Sequence, residues 1–134
     1  MGIQEALRTS KGEILYEESE ILKRSENYKN RKFVFRKWDM YWAAVRFEDD
    51  PRYFKIRPVI LCEMVDKNII NILWCTHVQG QNKYPIKNYM NLGLKEPTYI
   101  VKKPELMRIS LLFEPLRNSL SKEDRKALIL GGYI

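Results

Sequence analysis

Two segments of this 134-residue sequence carry reactive side chains beside strongly apolar runs. In RPVIL, at 57–61, the guanidinium of Arg57 precedes an apolar run, and in ILWCTH, at 72–77, an apolar run ends in Thr76 and His77. A guanidinium binds oxyanions with paired donors, a hydroxyl donates one more hydrogen bond, and an imidazole transfers protons near neutral pH. Polar groups at the end of a buried strand are rigidly held and face solvent, which suits a functional site.

The charge balance indicates an anionic partner. The chain has 24 Lys and Arg against 17 Asp and Glu, a formal net charge of +7. A cationic surface attracts polyanions through long-range attraction and the release of counterions, so nucleic acid is one expected partner, although many basic proteins bind none. Hydrophobic residues make up 45% of the chain, which is sufficient for one core without disulfides or a metal.

Cysteine and histidine usage argues against a metal site. Cys62 and Cys75 lie in apolar runs and form no CxxC motif, and His77 is the single histidine. We therefore expect two reduced core thiols, no metal and no cofactor. No apolar run approaches the roughly 20 residues that cross a bilayer, and the N-terminus lacks the pattern of a secretory signal. The expected location is the cytoplasm, without membrane association.

Hydrophobic patterning divides the chain into an N-terminal helical extension, residues 1–32, and a main domain, residues 33–134. In the extension, apolar residues from Ile14 to Leu22 recur at roughly helical spacing, which predicts one or two short helices. Apolar and aromatic runs between turn signals then predict short strands near 40–47, 56–65, 69–76, 84–87, 98–101 and 106–113.

The C-terminal residues predict a helix at about 122–130. Ser121 is the expected N-cap, Asp124 three residues later completes a variant capping box, and Gly131 and Gly132 end the helix. Short strands followed by one terminal helix predict a mainly β fold with some α, a small β-barrel decorated by helices.

Three segments, in this order, resemble the MazF/PemK family of toxins: MYW at 40–42, RPVIL at 57–61 and WCTH at 74–77. The resemblance covers about residues 38–130, with SKED at 121–124 as a weaker likeness. It implies an SH3-like (PemK-like) β-barrel that forms a homodimer and is held inactive by a cognate antitoxin protein. It also implies a metal-independent endoribonuclease that cleaves single-stranded mRNA at short motifs, leaving 2′,3′-cyclic phosphate and 5′-hydroxyl ends.

The catalytic pair of that family maps onto Arg57 and Thr76. Arginine is a poor base because it stays protonated, so His77 is the candidate for proton transfer. Adjacent residues of an ideal strand face opposite sides, so Thr76 and His77 share a site only if the strand ends there. The simpler alternatives are an ion pair of Arg57 with Asp49 or Asp50, an ordinary strand-end hydroxyl at Thr76, and a surface role for His77.

Aromatic and basic residues alternate just before Arg57, in the order Arg52, Tyr53, Phe54 and Lys55. Such a mixture suits unpaired bases and phosphates, although anchoring of a loop explains it equally well. Lys83, in a polar turn, is a further candidate RNA contact. The alternative function is a non-catalytic basic barrel that binds nucleic acid or a protein partner. The acidic residues near Glu18 would make the extension either an autoinhibitory or docking arm, or simply a solvated helix.

Overall fold

The computed structural model describes residues 7–8, 14–26 and 33–134. The remainder of the predicted N-terminal extension lies outside the described residues. The described chain is mainly β, as predicted, with two α-helices, α1 (Glu18–Glu26) and α2 (Lys122–Leu130), and two 3₁₀ helices, Tyr89–Leu92 and Ile109–Leu111. Its strands are β1 (Leu7–Arg8), β2 (Ile14–Glu17), β3 (Met40–Arg46), β4 (Tyr53–Met64), β5 (Ile69–Thr76), β6 (Lys83–Pro85), β7 (Tyr99–Val101), β8 (Glu105–Arg108) and β9 (Leu112–Pro115).

Strand β4, with 12 residues, organises the antiparallel sheet. Along one edge it pairs with β3, and along the other it pairs first with β2, at Tyr53 and Phe54, and then with β5, from Val59 onward. Residues 55–58 of β4 are therefore paired with β3 alone within the described chain. Pro58 falls in this gap, which fits its lack of an N–H to donate to a second ladder.

The sheet does not close into the predicted barrel. β5 pairs with β8 and β7 beyond β4, and β9 pairs with β3 at the opposite side. Among the described strands no pairing joins β9 to β8, β7 or β6, so the hydrogen-bonded path stays open. The predicted strand at 106–113 is interrupted by the 3₁₀ helix Ile109–Leu111. This break sends β8 to one side of the sheet and β9 to the other.

Buried hydrophobic side chains of the described residues form three clusters. Consecutive residues of β4 alternate between two of them, since Ile60 belongs to the first cluster while Val59 and Leu61 belong to the second. This alternation follows from the two-residue period of a strand, so β4 is covered on both faces. The first cluster also includes Leu128 of α2, which packs the terminal helix against the sheet.

The two thiols are free and buried in the first cluster, as the sequence predicts, with Cys62 8% and Cys75 0% exposed. Burial raises the pKa of the Cys62 thiol to about 11 and also raises the pKa of Cys75. Because the thiolate is the reactive form, we expect neither cysteine to be alkylated by iodoacetamide at pH 7 in the folded protein. Both should be alkylated in urea, as measured by mass spectrometry, and labelling of Cys75 before unfolding would contradict this packing.

The N-terminal segment at 14–26 is half strand and half helix. The predicted helix is confirmed at Glu18–Glu26, but the helical prediction is wrong for Ile14–Glu17, which pairs with β4 through Tyr16 and Phe54. The exposed edge of β4 offers backbone partners that outweigh the weak local helical pattern. Ile21 of α1 is 1% exposed in the third cluster, together with Phe54, so the segment is anchored on the main sheet.

The terminal helix begins as the sequence predicts. The Ser121 hydroxyl oxygen accepts a hydrogen bond from the backbone N–H of Asp124 at 3.2 Å. The Asp124 carboxylate accepts one in return from the Ser121 hydroxyl, at 3.0 Å, so both partners of the cap are held. Neither α-helix of the described chain has the length and apolar run that crossing a membrane requires.

Candidate active site

A cleft of about 290 Å³ lies over the gap in the pairing of β4. We call it the main cleft, and it is lined by Ile14 and Tyr16 of β2, residues 55–58 of β4, and Thr76 and His77 at the end of β5. It forms because β2 leaves the edge of β4 at Phe54, whereas β5 joins that edge only at Val59. The interruption in the sheet thus positions the candidate site.

Arg57 and Thr76 meet in the main cleft because of the strand register. Val59 of β4 lies opposite Trp74 of β5, so two residues further along each antiparallel strand Arg57 faces Thr76. Arg57 Nη1 donates a hydrogen bond to Thr76 Oγ1 at 3.1 Å. The predicted pair is therefore in direct contact, within one chain.

The surroundings of Thr76 leave its hydroxyl hydrogen suited to donation. Thr76 is 6% exposed, and its Oγ1 accepts hydrogen bonds from Arg57 Nη1 and from the backbone N–H of Val78, at 3.1 and 3.2 Å. A hydroxyl oxygen has two lone pairs and one O–H. Since two N–H groups occupy the lone pairs, the O–H can be directed at an oxyanion in the cleft.

His77 lines the same cleft as Thr76, because β5 ends at Thr76 and the alternation of faces stops there. Its Nδ1 lies 3.2 Å from the carbonyl oxygen of Pro97 and 3.8 Å from a carboxylate oxygen of Glu96. In the tautomer that donates from Nδ1 to Pro97, Nε2 carries a lone pair and can accept a proton. Thr76 and His77 therefore share a site, because the strand ends between them, as the sequence analysis required.

No family model and no curated protein matches this sequence. The likeness to MazF/PemK toxins accordingly rests on the three short segments that carry it.

A second cleft of about 270 Å³, lined in part by Phe47, Trp74 and Glu105, shares Lys55 and Arg57 with the main cleft. Cations lie over both of its aromatic rings: Lys55 Nζ is 4.4 Å from the ring centre of Phe47, and Arg57 Cζ is 5.6 Å from that of Trp74. Such contacts hold a cation in place without neutralising its charge. The indole N–H of Trp74 is buried and has no hydrogen-bond partner among the described residues.

The other predicted RNA contacts are more dispersed. Arg52 is bound to Asp50, with 2.8 Å between Nη2 and Oδ2, and this contact holds the pKa of Asp50 below its ordinary value. Asp50, one of the two alternative partners considered for Arg57, therefore binds Arg52. Tyr53 is half-buried beside Arg52, whereas Phe54 is buried in the third cluster and presents no face for a base.

Lys83 is separate from both clefts. Its Nζ donates to the carbonyl oxygen of Val78 at 3.0 Å, so it supports the loop that follows β5. Of the predicted RNA-binding residues, Lys55 alone lies beside Arg57 in the main cleft. In the described chain, His, Cys, Asp and Glu side chains form no group of three or more that could hold a metal ion.

Sequence reasoning did not identify one wall of the main cleft. Ile14 and Tyr16 line it from β2, whereas the sequence predicts a helix at these residues. The alternating residues ILYE at 14–17 are a weak strand signal that could have indicated this wall, but four residues do not distinguish a strand from a helix.

Proposed function

We propose that this chain is a metal-independent endoribonuclease of the MazF/PemK toxin type, with an SH3-like arrangement of strands, that cleaves single-stranded RNA. The observation that carries the proposal is the 3.1 Å hydrogen bond between Arg57 and Thr76 in a cleft that also contains His77. A fixed cation, a hydroxyl donor and a proton acceptor are the groups that phosphodiester cleavage needs. The resemblance adds a homodimer, a cognate antitoxin and a cytoplasmic location to the proposal.

Phosphate binding is assigned to Arg57 and Thr76. A guanidinium has five N–H donors in a planar fork, so the bond to Thr76 is compatible with simultaneous donation to a phosphate. The O–H of Thr76 donates to a non-bridging oxygen of the same group. Both donors are held before substrate arrives, and preorganised donors stabilise the charge that develops in the transition state. Lys55 adds positive charge beside them.

The bond changes use the 2′-hydroxyl of RNA as the nucleophile. Its oxygen attacks the adjacent phosphorus, the bond from phosphorus to the 5′-oxygen breaks, and the products are a 2′,3′-cyclic phosphate and a 5′-hydroxyl. His77 Nε2 takes the proton of the 2′-hydroxyl, and the resulting imidazolium returns a proton to the leaving 5′-oxygen. The charge of Arg57 stays constant throughout, so arginine need not act as a base.

The test is incubation of the purified chain with a long mixed-sequence RNA in EDTA, followed by mapping of the new ends. We expect 2′,3′-cyclic phosphate and 5′-hydroxyl ends, and no cleavage where the nucleotide on the 5′ side of the cut is 2′-deoxy. Arg108→Ala is the matched control, because this exposed arginine lies on β8 outside both clefts. Intact RNA would reject the nuclease, and salt-sensitive binding without new ends would support the non-catalytic alternative.

His77→Gln is expected to lower kcat by about 10²-fold, the usual contribution of general acid–base catalysis. Affinity for RNA should change little, because Arg57 and Thr76 still hold the phosphate. Single-turnover rates and binding to a 2′-deoxy oligonucleotide separate the two effects. An unchanged kcat would remove His77 from the mechanism and leave the roles of Arg57 and Thr76 standing.

A further inference from the structure

The N-terminal segment contributes a wall to the candidate active site. β2 pairs with β4 at Tyr16 and Phe54, and this pairing places Tyr16 in the lining of the main cleft, together with Arg57 and Thr76. The three segments that suggested a nuclease begin at residue 40. Tyr16 therefore belongs to none of the motifs from which the site was inferred.

Several contacts fix the position of Tyr16. Arg24 Cζ lies 4.6 Å from the centre of the Tyr16 ring, and Arg24 also pairs with Glu20, with 3.5 Å between Nη2 and Oε1. Helix α1, which carries Arg24, is anchored by the buried side chain of Ile21. The half-buried ring is thus held by its strand pairing and by the helix that follows. An aromatic ring held in this way requires little ordering when a ligand binds.

We propose that Tyr16 forms a nucleobase subsite of the main cleft, in which its ring contacts the base of a nucleotide next to the scissile phosphate. The inference rests on the proposed function, because RNA must enter this cleft. Every base has a π face, so contact with an aromatic ring suits single-stranded RNA. Arg24, which lies over one face of the ring, supplies positive charge for the backbone of the same nucleotide. The cleft volume, about 290 Å³, is at the lower limit of small-molecule sites and suits one nucleotide.

A purely structural role for Tyr16 makes a different prediction. The ring also packs against the third cluster, so Tyr16 could serve only to anchor the N-terminal segment. In that case an apolar side chain of similar size would replace Tyr16 without any change in RNA binding or cleavage. Tyr16→Leu retains apolar bulk and removes the aromatic ring, whereas Tyr16→Phe retains the ring. Tyr89→Leu is the matched control, since Tyr89 is half-buried, packs on the first cluster and does not line the main cleft.

The decisive experiment uses an oligonucleotide that contains one mapped cleavage site, and a series in which one base at a time is removed with its ribose intact. For the wild type, one abasic position should lower kcat/KM by about tenfold, the contribution of one base stacked on an aromatic side chain. Tyr16→Leu should show the same loss on the intact oligonucleotide and no further loss at that abasic position. Tyr89→Leu should behave as the wild type, and Tyr16→Phe, which keeps the ring, should still lose activity at the abasic position.

The outcomes separate the subsite from the nuclease. If the wild type cleaves RNA, and Tyr16→Leu has the same kcat/KM and the same loss at each abasic position as the wild type, the subsite is rejected and the nuclease stands. If the wild type does not cleave, the nuclease is rejected, and affinity for a 2′-deoxy oligonucleotide decides the subsite. A loss of affinity in Tyr16→Leu then supports the subsite, and equal affinity rejects it. If Tyr16→Leu fails to fold, Arg24→Gln takes its place. This variant should bind the 2′-deoxy oligonucleotide more weakly, and its binding should depend less steeply on salt. Unchanged binding of the oligonucleotide would reject the subsite.

Discussion

Arg57→Ala is expected to lower kcat/KM for RNA cleavage by about 10²–10³-fold, the loss typical of one preorganised donor at a developing oxyanion. The variant removes the guanidinium charge from the main cleft, where Lys55 remains, and leaves Thr76 without its Arg57 contact. Arg57→Lys should recover little of this loss, because an ammonium group lacks the planar fork that binds Thr76 and a phosphate together. Single-turnover rates on a mapped oligonucleotide measure both variants.

The control for this result separates catalysis from folding. Arg57 is half-buried, so urea unfolding of each variant must accompany the rates. Thr76→Val keeps the shape of the side chain and removes the hydroxyl. If Arg57 and Thr76 act as one unit, the double variant Arg57→Ala, Thr76→Val will cleave RNA almost as fast as Arg57→Ala alone. A wild-type rate for a folded Arg57→Ala protein is incompatible with the proposed mechanism.

Asp124→Ala is expected to lower the free energy of unfolding by about 3 kcal/mol, since it removes a buried acceptor that several donors share. Asp124 is 1% exposed, and its carboxylate accepts hydrogen bonds from the Tyr84 hydroxyl at 2.5 Å and from the Ser121 hydroxyl at 3.0 Å. Alanine would leave both hydroxyls without this partner. It would also remove a negative charge from the first turn of α2, where the helix dipole favours one.

Equilibrium urea unfolding measures this effect. Asp124→Asn preserves the shape and one acceptor oxygen, so its loss should be smaller than that of alanine. Ser121→Ala should cost about 1 kcal/mol, the usual value of a helix N-cap. A loss for Asp124→Ala no larger than that for Ser121→Ala would show that the bond to Tyr84 adds nothing to stability.

The elements that sequence reasoning located correctly depend on local patterns. Strands β3 and β5 are apolar runs bounded by turn residues, and α2 begins at a recognisable cap, Ser121. The pair of Arg57 and Thr76 came from the resemblance alone. The turn between β4 and β5 does not predict it, because the register of the two strands shifts by one residue between Leu61 and Glu63.

The elements that sequence reasoning missed depend on distant partners. β2 is a strand because the edge of β4 is open near Phe54, and nothing within ILYE specifies that partner. The break at Ile109–Leu111 has an apolar composition that continues the strand pattern, so local reasoning predicted one strand where the chain forms two. The burial of Phe54 follows from the same non-local packing of β2 and α1.

The fully buried residues beside Thr76 have a consequence for how the site responds to heat and denaturant. Cys75 and Leu73, which precede it in β5, and Val59 across the ladder are 0% exposed. Thr76 ends this buried strand and is itself 6% exposed, so it shares the rigidity of the interior and lacks the looseness of a surface loop. Inactivation and global unfolding of this protein should therefore coincide.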